Sequence, residues 1–137
     1  MRETTDTRHH ILLVDDEPAV AQALSQILDN LGYRVTVCSE SNGALLCFGS
    51  DPAAFDLLIT DFLMPGRNGL QLSRALLETR PDLPILVCTG NPNDLPPRET
   101  WPAAVRGLLE KPFSSRQLAE TVERALLQPR APAAPAN

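Results

Sequence analysis

Apolar residues in this chain come mostly in short unbroken runs rather than in alternation. Ile11 to Val14, Tyr33 to Cys38, Phe55 to Thr60, Leu83 to Cys88 and Val105 to Glu110 each have strand length and strand-favouring composition. A short continuous apolar run is the form a parallel strand takes when helices cover both faces of its sheet. The intervening segments carry the helical period. Pro18 suits a first helical turn, and Val20, Leu24, Ile27, Leu28 and Leu31 recur at spacings of three and four until Gly32 stops the helix. Ser39 or Ser41 is expected to cap a second helix carrying Ala44, Leu45 and Phe48, ended by Gly49 to Pro52. Asn68 or Gly69 opens a third, with Leu72, Ala75 and Leu76 on one face, closed before Pro81. Pro92, Pro96, Pro97 and Pro102 leave room for little more than about two turns around Arg98 to Trp101, so the fourth helix is expected to be short or irregular. Ser114 and Gln117 fit a capping box for a last helix with Leu118, Val122, Ala125 and Leu126 inward. Five β-α units in succession predict an α/β three-layer sandwich around a five-stranded parallel sheet with right-handed crossovers.

Composition narrows the class. A chain of 137 residues that is 43% hydrophobic suits one domain with one buried core. Residues 1–9 read as a flexible N-terminal arm, 10–127 as the folded domain, and 128–137 as a disordered Pro/Ala-rich tail or linker stub. A net charge of -5 and a pI near 4.9 argue against direct nucleic-acid binding, which would need a clustered basic face. No apolar run approaches the ~20 residues of a membrane span and the N-terminus is polar, so no membrane insertion and a cytoplasmic location are expected. Cys38, Cys47 and Cys88 have no metal-type spacing, and Cys38 and Cys88 read as reduced thiols acting as small hydrophobes. His9 and His10 read as tail or strand-edge residues.

The candidate chemistry lies at the strand ends. Asp15-Asp16, Asp61, Thr89 and Lys111 all fall at the carboxyl ends of apolar runs, hence on one edge of one sheet, where open α/β sheets bind their ligands. Three gathered carboxylates repel: at ~4 Å and an effective dielectric near 20, a pair costs on the order of 4 kcal/mol. Oxygen ligands without a placed histidine or cysteine favour a hard divalent ion, Mg2+ before Zn2+. Three acids and one lysine sum to a formal -2, which one Mg2+ neutralises, so that a phosphoryl donor can approach. Asp61, where Pro65, Gly66 and Gly69 force the backbone to turn, is then a phosphoryl acceptor, with Thr89 and Lys111 available to the charge on the phosphoryl oxygens. Singly, each residue has an ordinary explanation: Asp15 or Asp16 as a helix cap, Asp61 as a turn acid, Thr89 as a strand-end residue, Lys111 as a surface lysine beside Glu110. Their common position in successive strands is what points to a site.

With these pieces assembled, the chain resembles the receiver domains of two-component response regulators. The matching segments are Leu12 to Pro18, Asp61 to Gly69, Thr89-Gly90 and Lys111-Pro112-Phe113, together spanning about residues 10–127. The resemblance implies a flavodoxin-like fold with strand order 2-1-3-4-5, and phosphoryl transfer from the phosphohistidine of a sensor histidine kinase or histidine phosphotransfer protein to Asp61, altering contacts with a downstream protein or serving a relay or sink. It implies that Asp16, Asp61 and the Leu63 backbone carbonyl bind Mg2+ directly, that Asp15 acts through a water, that Thr89 and Lys111 contact the phosphoryl group, and that the Lys111-Pro112 bond is cis. Such a protein counts as a self-catalysed phosphoacceptor, not an enzyme, and stands alone or belongs with a hybrid kinase.

The sequence also departs from the family. Leu108 stands three residues before Lys111, where the family commonly has an aromatic ring coupled to the threonine, and the proline-laden segment alters the face that most receivers use for partners. Two rivals are a pseudo-receiver that docks partners without phosphorylation, and a phosphatase of the haloacid-dehalogenase type. The latter class wants a second acid at the position of Leu63. A flavodoxin-like binding module would need a phosphate loop where Asp15-Asp16 stand.

Overall fold

A computed structural model describes residues 7–127; the expectations for residues 1–6 and for the tail from 128 lie outside the described residues. Five strands, β1 (His10–Val14), β2 (Arg34–Cys38), β3 (Leu57–Asp61), β4 (Ile85–Thr89) and β5 (Val105–Glu110), form one parallel sheet in the order β2-β1-β3-β4-β5. Four α-helices, α1 (Pro18–Asn30), α2 (Ser41–Ser50), α3 (Gly69–Thr79) and α4 (Ser115–Leu127), connect and cover it. Where a helix between β4 and β5 was expected to be short or irregular, the chain makes only two 3-10 turns, Pro92–Asp94 and Arg98–Thr100. Proline removes amide donors and clashes with the preceding turn, and the four prolines in this segment leave no continuous stretch for an α-helix.

The two faces of the sheet carry separate cores, because successive side chains of a strand point to opposite sides. Leu12, Val14, Leu58, Ile85 and Val87 pack with Ala44 and Phe48 of α2 and Leu72 and Leu76 of α3. On the other face Ile11, Leu13, Leu57, Ile59, Leu86 and Cys88 pack with Leu24 and Leu28 of α1 and Leu118, Val122 and Ala125 of α4. All five residues of β1, β3 and β4 are buried, as expected of strands covered on both sides.

Helix ends follow the expected chemistry in part. Asn68 and Gln71 complete a capping box on α3, and Ser114 and Gln117 exchange the same pair of bonds before α4. Beyond α1, Gly32 adopts φ of 100°, a conformation that favours glycine. Neither Ser39 nor Ser41 caps α2; Glu40 holds the cap position without a side-chain bond, and Ser41 is the first helical residue, buried.

His9 is exposed just before β1, as a tail residue would be, whereas His10 is a core group. It is the first residue of β1, an interior strand, and is 8% exposed. Its Nε2 lies 2.7 Å from the Thr36 hydroxyl, its Nδ1 lies 3.1 Å from the Ala54 carbonyl, and its ring lies 4.5 Å from that of Phe55. A buried imidazole with both nitrogens engaged is a structural group.

Arg80, just after α3, has a comparable role. Its guanidinium donates to the carbonyls of Pro52 (2.9 Å) and Phe55, and to Asp82 Oδ1 (3.3 Å), joining the segment before β3 to the one before β4. Arg80→Ala removes the guanidinium donor from the Pro52 and Phe55 carbonyls and is expected to lower stability by about 1–3 kcal/mol in urea unfolding. An unchanged midpoint would mean that water replaces the guanidinium without loss.

Candidate phosphoryl-transfer site

The strand ends bring the acids together. β1 runs directly into Asp15, whose amide donates to the carbonyl of Cys38 (3.2 Å), so the end of β1 is fixed against β2. Asp15 Oδ1 accepts the amide of Glu17 (2.9 Å), and Glu17, without a side-chain bond of its own, occupies the cap of α1. Asp15 thus orders the turn before α1 while its other oxygen faces the site, and it is buried at 2% exposure. Asp61 is the last residue of β3. One oxygen each from Asp15, Asp16 and Asp61 lies within 4.8 Å of the others.

The loop after Asp61 is pinned at alternate residues. Phe62 and Met64 are buried in the core beneath α2 and α3, whereas Leu63 between them is 58% exposed. The Phe62 amide donates to the Cys88 carbonyl (2.8 Å), and the Gly69 amide returns to the Phe62 carbonyl (2.8 Å). Gly66 turns the chain with φ of 82°. Gly69 comes so close to β3 that a Cβ there would collide with the Asp61 carbonyl oxygen and meet Phe62 Cα at 3.1 Å. The start of α3 and the backbone of Asp61 are therefore in direct contact.

Lys111 supplies the cation. Its amide donates to the Thr89 carbonyl (2.8 Å), aligning the ends of β4 and β5, and its Nζ lies 3.1 Å from Asp61 Oδ1 and 3.4 Å from Asp15 Oδ2. The Lys111-Pro112 bond is cis. Desolvation raises the Asp61 pKa; the Lys111 ammonium offsets part of this, and the charges of Asp15 and Asp16 add to it. Burial works against the Lys111 charge, but its bond to Asp61 and the field of the two acids outweigh burial and raise its pKa. The crevice therefore holds more negative charge than one lysine balances. Its donor set, carboxylates only, suits a hard, oxygen-preferring divalent cation.

Thr89, buried at 2% exposure, ends β4 in the same crevice. Its hydroxyl donates to the Asn91 carbonyl (3.0 Å) and accepts the Asn91 amide (3.1 Å), so it is engaged in the following turn. Leu108 is half-buried and packs with Trp101 against the core. The residue that sequence reading passed over is Gly69 in its contact with Asp61: the glycine is visible in sequence, but not what a side chain there would strike.

Residues 11–123 match the response regulator receiver domain. The chain belongs to this family. The Brucella abortus response regulator receiver protein CpdR is 33% identical over 123 residues, covering 85% of this chain and 96% of CpdR. The Pseudomonas aeruginosa C4-dicarboxylate transport transcriptional regulatory protein DctD is 36% identical over 125 residues, covering 88% of this chain but 26% of the regulator. The chain spans between about a quarter and three fifths of the curated regulators it first matches. Among solved structures, the Thermotoga maritima response regulator TrrA in complex with Mg2+-BeF has a TM-score of 0.76 at 29% identity, covering 86% of this chain and 99% of TrrA. The flavodoxin-like fold and strand order expected of the resemblance are those of the receiver family.

Two outcomes follow for this receiver domain. A carboxylate whose folded-state pKa is raised contributes stability that is fully present below its unfolded pKa and is lost as pH rises through the folded value. The Asp61 charge therefore opposes folding at neutral pH. Asp61→Asn is expected to melt at a higher temperature than wild type in Mg2+-free buffer, with the gap closing as pH falls through the carboxylate range; a variant that melts lower at neutral pH would contradict this. Gly69→Ala forces the backbone apart at Asp61 and is expected to cost about 1–3 kcal/mol of stability by denaturant unfolding, where a solvent-facing glycine at a helix start would show little change.

Proposed function

We propose that this receiver domain is the phosphoacceptor of a two-component phosphorelay, with Asp61 as the nucleophile. The observation that carries this reading is the Lys111 ammonium 3.1 Å from Asp61 within a cluster of three carboxylates at the strand ends. Asp61 takes the phosphoryl group from the phosphohistidine of a sensor histidine kinase or a histidine phosphotransfer protein. A carboxylate oxygen forms the new O–P bond, the P–N bond breaks, and imidazole leaves with the electron pair. Lys111 balances charge on the transferring oxygens and needs only to exchange part of its contact with Asp61 and Asp15.

Asp16, Asp61 and the Leu63 carbonyl would hold Mg2+, with Asp15 acting through a water. The ion supplies charge neutralisation that lets two anions meet and stabilises the equatorial oxygens. Thr89 reaches the phosphoryl group by releasing the Asn91 carbonyl. The chain acts as a self-catalysed phosphoacceptor rather than as an enzyme turning over an external substrate. No described helix is long and apolar enough to cross a membrane, and a cytoplasmic location goes with a kinase donor. The structure of TrrA with Mg2+-BeF suggests the direct test. Beryllofluoride binding, followed by calorimetry, should require Mg2+ and vanish in Asp61→Asn; binding that persists in that variant would place the acceptor elsewhere.

Output is a separate matter. Leu108 offers no aromatic ring to follow the Thr89 hydroxyl, and two 3-10 turns replace the helix between β4 and β5. The Arg98 guanidinium lies 4.6 Å from the Trp101 ring centroid, and the indole nitrogen donates to the Pro96 carbonyl (3.0 Å), which further ties this segment down. These features favour a relay or sink, or signalling through another surface. Amide exchange around Trp101 should change little on phosphorylation; strong reorganisation there would favour output through this face.

Leu63, exposed beside the acceptor, presents no group that hydrogen-bonds an attacking water. The acyl phosphate of the wild type is expected to outlast that of Leu63→Asn, about tenfold for a hydrogen bond worth ~1.4 kcal/mol in the hydrolytic transition state. Equal decay rates of the two phosphoproteins would exclude this role.

A further inference from the structure

We propose that the start of α2 and the loop after Asp61 form a carboxylate-binding site, separate from the phosphoryl crevice, with Ser41, Asn42 and Arg67 as its donors. The two segments face each other across a groove of about 570 Å3 lined by Glu40, Ser41, Asn42, Pro65, Gly66 and Arg67. Helix α2, ten residues long, begins there without a side-chain cap: Glu40 holds the cap position and makes no bond to the first-turn amides. Ser41 is only 5% exposed, yet its hydroxyl has no hydrogen-bond partner among the described residues. A Cβ on Gly66 would lie 3.9 Å from Ser41 Oγ, so the hydroxyl faces the opposite wall of the groove. No described polar side-chain atom is both fully sealed and unpaired, and this oxygen therefore opens on the groove. Arg67 is exposed and makes no ion pair among the described residues. Its Nη1 donates to Asn42 Oδ1 (3.3 Å), which steadies the guanidinium beside the helix start and leaves its other N–H groups and the Asn42 amide nitrogen available as donors.

First-turn amides, a hydroxyl and a guanidinium together suit an oxyanion. Charge decides which one. Arg67 and Glu40 cancel formally, and the helix start adds roughly half a positive charge. That balance matches a monoanionic carboxylate better than a dianionic phosphate, which Glu40 repels. A flat carboxylate also fits the guanidinium fork on one side while its remaining lone pairs take the Ser41 hydroxyl and the helix amides. The groove leaves room for the rest of the molecule. The carboxylate comes from a small free acid or from an Asp or Glu side chain of a protein.

The test titrates the isotope-labelled full chain with sodium acetate, and separately with a blocked Gly-Asp-Gly peptide, at pH 7 in Mg2+-free buffer with ionic strength held by chloride. Saturable amide shifts at Ser41, Asn42 and Gly43 are expected with both probes, weakened about tenfold in Arg67→Gln. Tighter binding of the peptide would support the site with a protein as its source, and equal or tighter binding of acetate would support it with a free acid. Ser41→Ala should also weaken binding; because Arg67 is exposed, its variant decides the matter even if the Ser41 variant misfolds. Shifts no larger than chloride alone produces, tighter binding of inorganic phosphate than of acetate, or an affinity unchanged in Arg67→Gln would each overturn the proposal.

Discussion

The structure depends on an unresolved charge. Strand-end geometry presses Asp15, Asp16 and Asp61 into a space less than 5 Å across, and a single ammonium, Lys111, stands between two of them. In most folds such a cluster would be a liability, because each acid pair repels and burial strengthens the repulsion. Here the surrounding elements hold the acids in place. Asp15 is fixed by the β2 carbonyl and by the turn into α1, Asp61 by β3 and by the close approach of Gly69, and Lys111 by the amide that aligns β5 with β4. The site is pre-arranged for a divalent cation and an incoming anion, and side-chain packing on both faces of the sheet sustains that arrangement.

The loop after Asp61 shows how packing and chemistry divide the same few residues. Phe62 and Met64 turn inward and anchor the loop, leaving Leu63 outward beside Asp61, where its side chain can change without loss of core packing. On the far side of the crevice, Thr89 is bound into its own turn, and the segment beyond it is stiffened by prolines and by the Arg98–Trp101 stack. The segment between β4 and β5 is thus held by its own local contacts.

Much of this was legible in the sequence, for a physical reason. Strands buried on both faces must be continuously apolar, so the five runs and the polar residues that end them stand out, and the right-handed β-α connection leaves little choice of topology. The three acids and Lys111 follow from strand ends alone. What escaped depends on partners distant in sequence. His10 reads as a tail or strand-edge residue until Thr36 and Ala54 are seen around its ring. Arg80 is one arginine among many until two carbonyls some 25 residues away receive it. Glu40 at the cap of α2 was missed because either neighbouring serine is the better capping residue, and burial of Ser41 decided otherwise.

The proposed function requires that Asp61 accept a phosphoryl group with the help of a divalent cation held by its neighbours. Its most direct test is intact mass after incubation with a small acyl phosphate, comparing wild type with Asp61→Asn, each with Mg2+ and with a chelator, under rapid acid quench. Wild type with Mg2+ should gain one phosphoryl group while the other three samples gain none. Equal phosphorylation of Asp61→Asn, or no adduct on the wild type at any quench time, would contradict the account.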